Sequence, residues 1–137
     1  MPEHDTASVI DRLKAATQGL RFTSESDYPI EPFVLQGVPD EPLTPQKLPQ
    51  ATGHPPGTPV RTLSLNEFFE PVTQEQDWHN AEERATVQRF RQLVETLTQL
   101  LSDIQVFKVG RVESDVYVLG KTASGELAGV KTKVVET

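Results

Sequence analysis

The sequence predicts a mixed α and β domain in which helices cover one mainly antiparallel sheet. Three observations predict it: an amphipathic helical pattern near the start, a second and longer one past the middle, and a change to strand-like segments in the last third. This order of helix, scattered strands, helix and terminal hairpin is typical of α+β domains. Because 137 residues with 36% hydrophobic content suit one core, we expect one domain over residues 1–137.

The first elements follow from periodicity and turn chemistry. A helix is predicted over 6–18 because apolar residues recur with helical spacing, and Gly19 suits the left-handed position after its end. A short extended segment at 20–23, a polar turn over 24–29 and a buried strand at 33–35 follow. The apolar residues of the helix are Val9, Ile10, Leu13 and Ala16.

Proline dominates the next stretch. Nine of the eleven prolines lie between Pro29 and Pro59. Since proline lacks an N–H donor and fixes φ, regular helix and central strand are disfavoured there. We therefore expect a long surface loop at about 38–59.

The middle of the chain predicts one short and one long helical element. A strand is expected over 60–65, with Ser64 capping a helical turn at 66–69. The strongest pattern predicts a helix over 81–102, whose stripe alternates steps of three and four residues. The stripe consists of Val87, Phe90, Leu93, Val94, Leu97, Leu100, Leu101 and Ile104.

The last third predicts strands. Residues 105–109 and 115–121 are rich in valine and aromatic residues, and 127–135 continues the pattern. The loop 123–126 carries Gly125, which supplies the positive φ that a tight hairpin needs. A C-terminal antiparallel hairpin is the expected result.

Composition excludes several classes of protein. Twenty acidic against thirteen basic residues give a net charge of −7, which disfavours direct binding of nucleic acid. The absence of cysteine excludes disulfides and thiolate metal sites. No apolar run reaches the roughly 20 residues that span a bilayer, and the acidic start does not resemble a secretion signal. We expect a cytoplasmic protein without membrane association or a bound cofactor.

The acidic residues are unevenly distributed. Eleven of the twenty lie in two stretches that contain no lysine or arginine, one between Arg21 and Lys47 and the other between Arg61 and Arg84. Their mutual repulsion would be relieved by a basic partner surface. The alternative is that these carboxylates are solvated or complement helix dipoles, as suits Glu82 and Glu83.

Motifs for catalysis are largely missing. No nucleotide-binding loop, hydrolase elbow or zinc-protease helix occurs in the sequence, and the three histidines are far apart. His79 near Asp77 could form half of a metal or acid–base site, although a solvated histidine at a helix start is the better explanation. An enzyme is therefore the least favoured class.

Two further features suit a binding role. Trp78 lies in a polar run and is either a core residue folding back on the long helix or an exposed interface anchor. Glu136 and Thr137 place several oxygen donors at the end of the last predicted strand, and hard cations such as Mg²⁺ prefer such ligands. Frayed ends are the ordinary alternative for Glu136 and Thr137.

Several stretches of the chain form a distinctive set. Its densest parts are the segment Phe22 to Pro29, Gln76-Asp77-Trp78, and the last strand with its end. It also includes Gly19-Leu20, Asp115-Val116-Tyr117-Val118 and Leu127-Ala128-Gly129. In the order and spacing of these stretches, and in the final Glu-Thr, the chain resembles the nuclease A inhibitor family, bacterial protein inhibitors of sugar-non-specific endonucleases.

The resemblance implies a fold, a partner and site residues. The fold would be a three-layer α/β/α sandwich similar to the pathogenesis-related-1 type. The partner would be a metal-dependent endonuclease of the ββα-metal class, bound 1:1 through its active site. Glu25 would reach into the cleft, Thr137 would approach the enzyme's catalytic Mg²⁺, and Trp78 would be an interface anchor. Asp27 stands where the family has a glutamate.

Three hypotheses result, and experiments distinguish them. The first is an inhibitor of a sugar-non-specific nuclease, with Glu25, Asp27, Trp78, Glu136 and Thr137 at the interface. The second is an acidic interaction module for some other basic partner. The third is a small enzyme that uses the neighbourhood of Asp77 and His79.

Overall fold

A computed structural model describes most of the chain and confirms the mixed α and β class. It describes residues 6–23, 27–35, 53–54, 57–74, 80–111, 113–122 and 126–135. Within these residues the helices are α1 (Thr6–Thr17), α2 (Leu65–Thr73) and α3 (Ala81–Leu100). The strands are β1 (Arg21–Thr23), β2 (Asp27–Pro29), β3 (Glu31–Leu35), β4 (Val60–Leu63), β5 (Ser102–Gly110), β6 (Glu113–Lys121) and β7 (Leu127–Val135).

Five of these strands form one antiparallel sheet in the order β3-β7-β6-β5-β4. The ladder between β6 and β7 begins at Lys121 opposite Leu127, so the predicted C-terminal hairpin is confirmed. Gly125 and the rest of loop residues 123–125 lie outside the described part of the chain. Within the described part of the chain, β1 and β2 pair with each other as a separate two-stranded sheet.

One face of the large sheet and all three described helices share a single core. The strands contribute alternate residues to it because neighbouring side chains on a strand point to opposite faces. Its buried members include Val9 and Leu13 from α1, Phe68 and Phe69 from α2, Phe90, Leu93, Leu97 and Leu100 from α3, and Val106, Val116, Val118, Ala128, Val130 and Val134 from the sheet. Burying each large apolar side chain contributes about 1.5–3 kcal/mol, so this core fixes how the helices sit on the sheet.

The opposite face carries a second, smaller cluster. Its buried residues are Phe107, Val109, Tyr117 and Leu119, with Phe33, Val60 and Leu127 packed beside them. Among the described residues, His54 lies against this face, with its ring 6.2 Å from that of Tyr117. Among the described strands, β3 and β4 form opposite edges of the sheet, and the proline-rich stretch connects them in sequence. Of the predicted loop 38–59, the described residues belong to neither helix nor strand, and the others lie outside the description.

The junction between α3 and β5 corrects two predictions. The helix ends at Leu100 instead of 102, and the strand begins at Ser102 instead of 105. Leu101 leaves the helical region with φ −125° and ψ 150°, so a single residue turns helix into strand. Leu101 and Ile104 therefore lie outside the helix, although both still contact the core.

Gly120 makes this sharp junction sterically feasible. A Cβ atom on Gly120 would lie 2.8 Å from Leu101 Cβ and 2.9 Å from Ile104 Cγ1. Asp103 adopts φ 52°, and the β5–β6 register shifts between Ser102 and Gln105. A local bulge of this kind cannot be anticipated from apolar periodicity alone.

Other boundaries also differ from those predicted. Helix α2 extends through Pro71 to Thr73, where only a turn at 66–69 was expected. Its start is as predicted, since Ser64 Oγ accepts a hydrogen bond from Glu67 N at 3.1 Å. Strand β4 consequently ends at Leu63 instead of at residue 65. Burial of Phe68 and Phe69 offsets the cost of a proline in the helix.

At the N-terminal side, α1 ends at Thr17, one residue before the predicted end, and Gly19 has the expected positive φ of +75°. The predicted turn over 24–29 is wrong in its second half, since Asp27–Pro29 forms strand β2. Strand β3 begins at Glu31, two residues before the predicted start. The backbone hydrogen-bonding groups of β2 pair with β1, and those of β3 pair with β7. The local turn propensity of the sequence does not predict pairing between strands.

Candidate functional site

Most of the predicted site residues lie just beyond described segments. Glu25, Trp78, Glu136 and Thr137 are outside the described part of the chain, as are Asp77 and His79. Asp27 has its backbone in β2, and its side chain is outside the description. The structure therefore describes the strands and the helix that flank these residues in sequence.

The β1–β2 hairpin and strand β7 end at the same end of the sheet. Strand β3 runs antiparallel to β7, and only Ile30 separates β2 from β3. Moving from Pro29 back to Asp27 therefore follows the same direction as β7 from Thr132 to Val135. We call this end, where β7 stops at Val135 and β6 starts at Glu113, the Val135 end of the sheet.

Helix α3 begins near the same end. The turn at Leu101 lies at the opposite end, where Ser102 pairs with Lys121. Because the chain reverses at Leu101 and both elements share one core, α3 runs back over the sheet toward the Val135 end. Its start is fixed by a capping box: Asn80 Oδ1 accepts from Glu83 N at 2.8 Å, and Asn80 N donates to Glu83 Oε1 at 3.2 Å.

Thr132 and Lys133 join the hairpin to β7. The Thr132 hydroxyl donates to the Pro29 carbonyl at 3.0 Å. The Lys133 ammonium lies 5.7 Å from the centre of the Tyr28 ring, within the range of a cation–π contact. It also donates to Glu113 Oε1 at 3.0 Å and lies 3.9 Å from Asp115 Oδ1. The hydrogen bond to Glu113 is the main cause that raises the pKa of Lys133 above 10.5, while partial desolvation opposes it.

A histidine extends this polar group. His54 Nε2 lies 3.2 Å from Asp115 Oδ2 and 3.2 Å from the Tyr117 hydroxyl. Sequence reasoning treated His54 only as an isolated histidine and missed this contact. The alternate spacing of Asp115 and Tyr117 places them on one face of β6, but nothing in the proline-rich stretch indicated that His54 would reach it.

Several acidic residues have local structural roles. Glu83 completes the capping box of α3, and Glu82 lies exposed in its first turn, where it complements the helix dipole. On α2, Glu67 and Glu70 are exposed. Within the described ranges, no group of three or more histidine, cysteine, aspartate or glutamate side chains could hold a metal ion.

The fold defines a small acidic α+β protein in which β2 and β7 approach the same end of the sheet. The family model described as nuclease A inhibitor-like protein matches residues 7–137. The chain therefore belongs to the nuclease A inhibitor-like protein family. A search of curated proteins found no significant match. None of the helices in the described ranges has the length and apolar character needed to cross a membrane.

Proposed function

We propose that this protein inhibits a Mg²⁺-dependent, sugar-non-specific endonuclease by covering its active site. The observation that carries the proposal is the convergence of β2 and β7 at the Val135 end of the sheet. In sequence, Glu25 lies two residues before β2 and Thr137 two residues after β7, so both residues assigned to the enzyme's cleft adjoin strands that meet at this end. Membership of an inhibitor family supports this role and agrees with a protein that is not itself an enzyme.

The chemistry of a nuclease cleft fits these residues. Such a cleft is basic and binds a divalent cation, because it must hold and cleave a phosphodiester. The Glu25 carboxylate and the oxygens of Thr137 would occupy phosphate positions and approach the enzyme's Mg²⁺ without offering a bond to cleave. Asp27 and Glu136 would add negative charge, and Trp78 would supply an apolar anchor beside the cleft.

The finer features of the proposal follow from the same resemblance. The partner would be a nuclease of the ββα-metal class, bound 1:1 in the cytoplasm by a single domain spanning residues 1–137. The three-layer arrangement would require a further layer over the face formed by Phe107 and Tyr117. The three described helices all pack in the core on the opposite face of the sheet.

A second candidate is an acidic module for another basic partner. The exposed carboxylates of Glu67, Glu70 and Glu82 favour it, since they lie on α2 and α3 outside the segments assigned to the nuclease. In that case net charge, not the position of any one carboxylate, would determine affinity.

Charge-matched variants distinguish the two candidates. Glu25→Gln and Asp11→Asn each remove one negative charge, and Asp11 is exposed on α1. We expect Glu25→Gln to weaken inhibition of DNA cleavage by a purified ββα-metal nuclease roughly 30-fold, as loss of an interface anchor does. Asp11→Asn should retain full potency, and both variants should keep the wild-type melting temperature.

Thr137 and Trp78 provide independent tests. Appending residues after Thr137 should weaken inhibition about tenfold if its oxygens approach the metal. Trp78→Ala should weaken inhibition without unfolding the protein; a large loss of stability would instead assign Trp78 to the core. Equal effects of Glu25→Gln and Asp11→Asn would favour the generic acidic module.

A further inference from the structure

We propose that Thr132 and Lys133 are positioning residues that hold the β1–β2 hairpin against the end of β7. The inference rests on the proposed function, because the two segments that they join lead to Glu25 and Thr137. Their role would be to fix the spacing between these segments before the enzyme binds.

The need for such a pair arises from the sheet itself. The β3–β7 ladder begins at Glu31 opposite Lys131, and β2 pairs with β1 instead of β7. A two-stranded hairpin of three residues a side is marginal by itself in water. Leu20 and Ile30 fix the base of the hairpin in the core, and side chains of β7 contact the hairpin beyond the end of the ladder.

Thr132 and Lys133 contact the hairpin from opposite faces of β7. Thr132 is 8% exposed, and its hydroxyl donates to the carbonyl of Pro29. Lys133, as the next residue, points to the other face, where it lies over the ring of Tyr28. The hairpin is thus restrained on both sides by consecutive residues of one strand.

Lys133 is itself held in place. Glu113 and Asp115 lie in β6 opposite Val135 and Lys133, and both approach the Lys133 ammonium. Asp115 also contacts His54 from the proline-rich stretch. An ion pair this exposed contributes little to global stability, with 36% of the Lys133 side chain and 57% of the Glu113 side chain accessible. Its main effect is therefore to restrict the position of Tyr28 and the hairpin.

Lys131 provides the matched control. It lies two residues earlier on the same face of β7, carries the same charge, and contacts Phe33 of β3 instead of the hairpin. Lys131→Met and Lys133→Met thus change net charge equally but differ in their relation to β1–β2.

Amide hydrogen exchange of the hairpin and inhibition of DNA cleavage by a ββα-metal nuclease test the proposal together. We expect Lys133→Met and Thr132→Val each to speed exchange of the β1–β2 amides and to weaken inhibition, both about tenfold. Lys133→Arg should retain most of the wild-type protection from exchange and most of the wild-type inhibition. Lys131→Met should match the wild type in both. In a Glu25→Gln background, Lys133→Met should weaken inhibition by a smaller factor than in the wild type, since the two residues act through the same segment.

Each outcome decides a different point. Wild-type exchange in both single variants overturns the positioning role, and weaker inhibition with unchanged exchange means that Lys133 contacts the enzyme directly. If exchange rises but the wild-type chain binds no nuclease, the proposed function fails while the structural restraint stands.

Discussion

Gly129 occupies a position in β7 that only glycine can fill. It lies between Phe33 of β3 and Leu119 of β6, and a Cβ atom there would overlap the backbone carbonyl of Val118. Because the obstructing atoms belong to a central strand, they cannot move without disturbing the sheet. Gly129 therefore sets how closely β7 approaches β6.

Replacing Gly129 with alanine should destabilise the protein severely. We expect Gly129→Ala to lower the free energy of unfolding by about 3 kcal/mol, the upper part of the range for overpacked cores. Urea denaturation measures the change, with Lys131→Ala on the same face as the control. A loss below about 0.5 kcal/mol would show that the strands have room to adjust.

Lys133 gives a pH-dependent prediction. Its pKa is raised in the folded protein, chiefly by the hydrogen bond to Glu113, so its stabilising effect is complete below the ordinary value of 10.5. That effect is lost as pH rises through the elevated folded pKa. The small difference in unfolding free energy between wild type and Lys133→Met should therefore shrink over the interval above pH 10.5, where the lysine loses its proton. A difference that is constant over this interval, or that grows, would contradict the assignment.

At the scale of elements, two arginines on α3 hold the ends of both other helices. Arg89 Nη1 donates to the Gln18 carbonyl at 2.6 Å, and Nη2 donates to the Ala16 carbonyl at 3.2 Å. Arg91 Nε donates to the Thr73 carbonyl at 2.7 Å, at the end of α2. The last carbonyls of a helix have no partner within it, and positive charge there complements the helix dipole.

Arg89 should matter more than Arg91 because it serves more carbonyls. We expect Arg89→Met to cost about 2 kcal/mol of unfolding free energy and Arg91→Met about 1 kcal/mol. Arg84→Met, on an exposed position of the same helix, should change stability by less than about 0.5 kcal/mol. Equal effects of Arg84→Met and Arg89→Met in urea denaturation would show that the helix ends do not depend on these bonds.

Elements with clear periodicity could be predicted, and their junctions could not. Helix α3 and strands β6 and β7 could be predicted because each has an apolar pattern that is typical of an element packed on a core by one face. The end of α3 was placed too late because Leu101 and Ile104 continue the helical spacing while lying in the turn and the strand. Strand β2 was missed because its pairing with β1 outweighs the turn propensity of Tyr28 and Pro29.

For the candidate site, too, part could be predicted from the sequence and part could not. Glu25 and Asp27 were assigned by resemblance, and Trp78, Glu136 and Thr137 also by their residue types. All five assignments stay predictions. The approach of β2 and β7 to one end of the sheet depends on their chain directions, which only the assembled sheet reveals. The contact of His54 with Asp115 joins residues distant in sequence and has no local signal.

At the scale of the whole molecule, a net charge of −7 affects how fast a basic partner is found. Long-range attraction accelerates association, and salt screens it over about 8 Å at physiological ionic strength. We expect the association rate with a ββα-metal nuclease to fall about tenfold between low and high salt, with a smaller change in the dissociation rate. Stopped-flow fluorescence of Trp78 follows both, and an association rate independent of salt would contradict electrostatic steering.

The most direct test of the central claim is a titration of the wild-type protein into a purified sugar-non-specific ββα-metal endonuclease with Mg²⁺ present. The readout is the rate of DNA cleavage at an enzyme concentration well above the expected dissociation constant. The proposed function predicts a linear loss of activity that reaches zero at one inhibitor per enzyme. Undiminished cleavage at a large molar excess of the protein would contradict it.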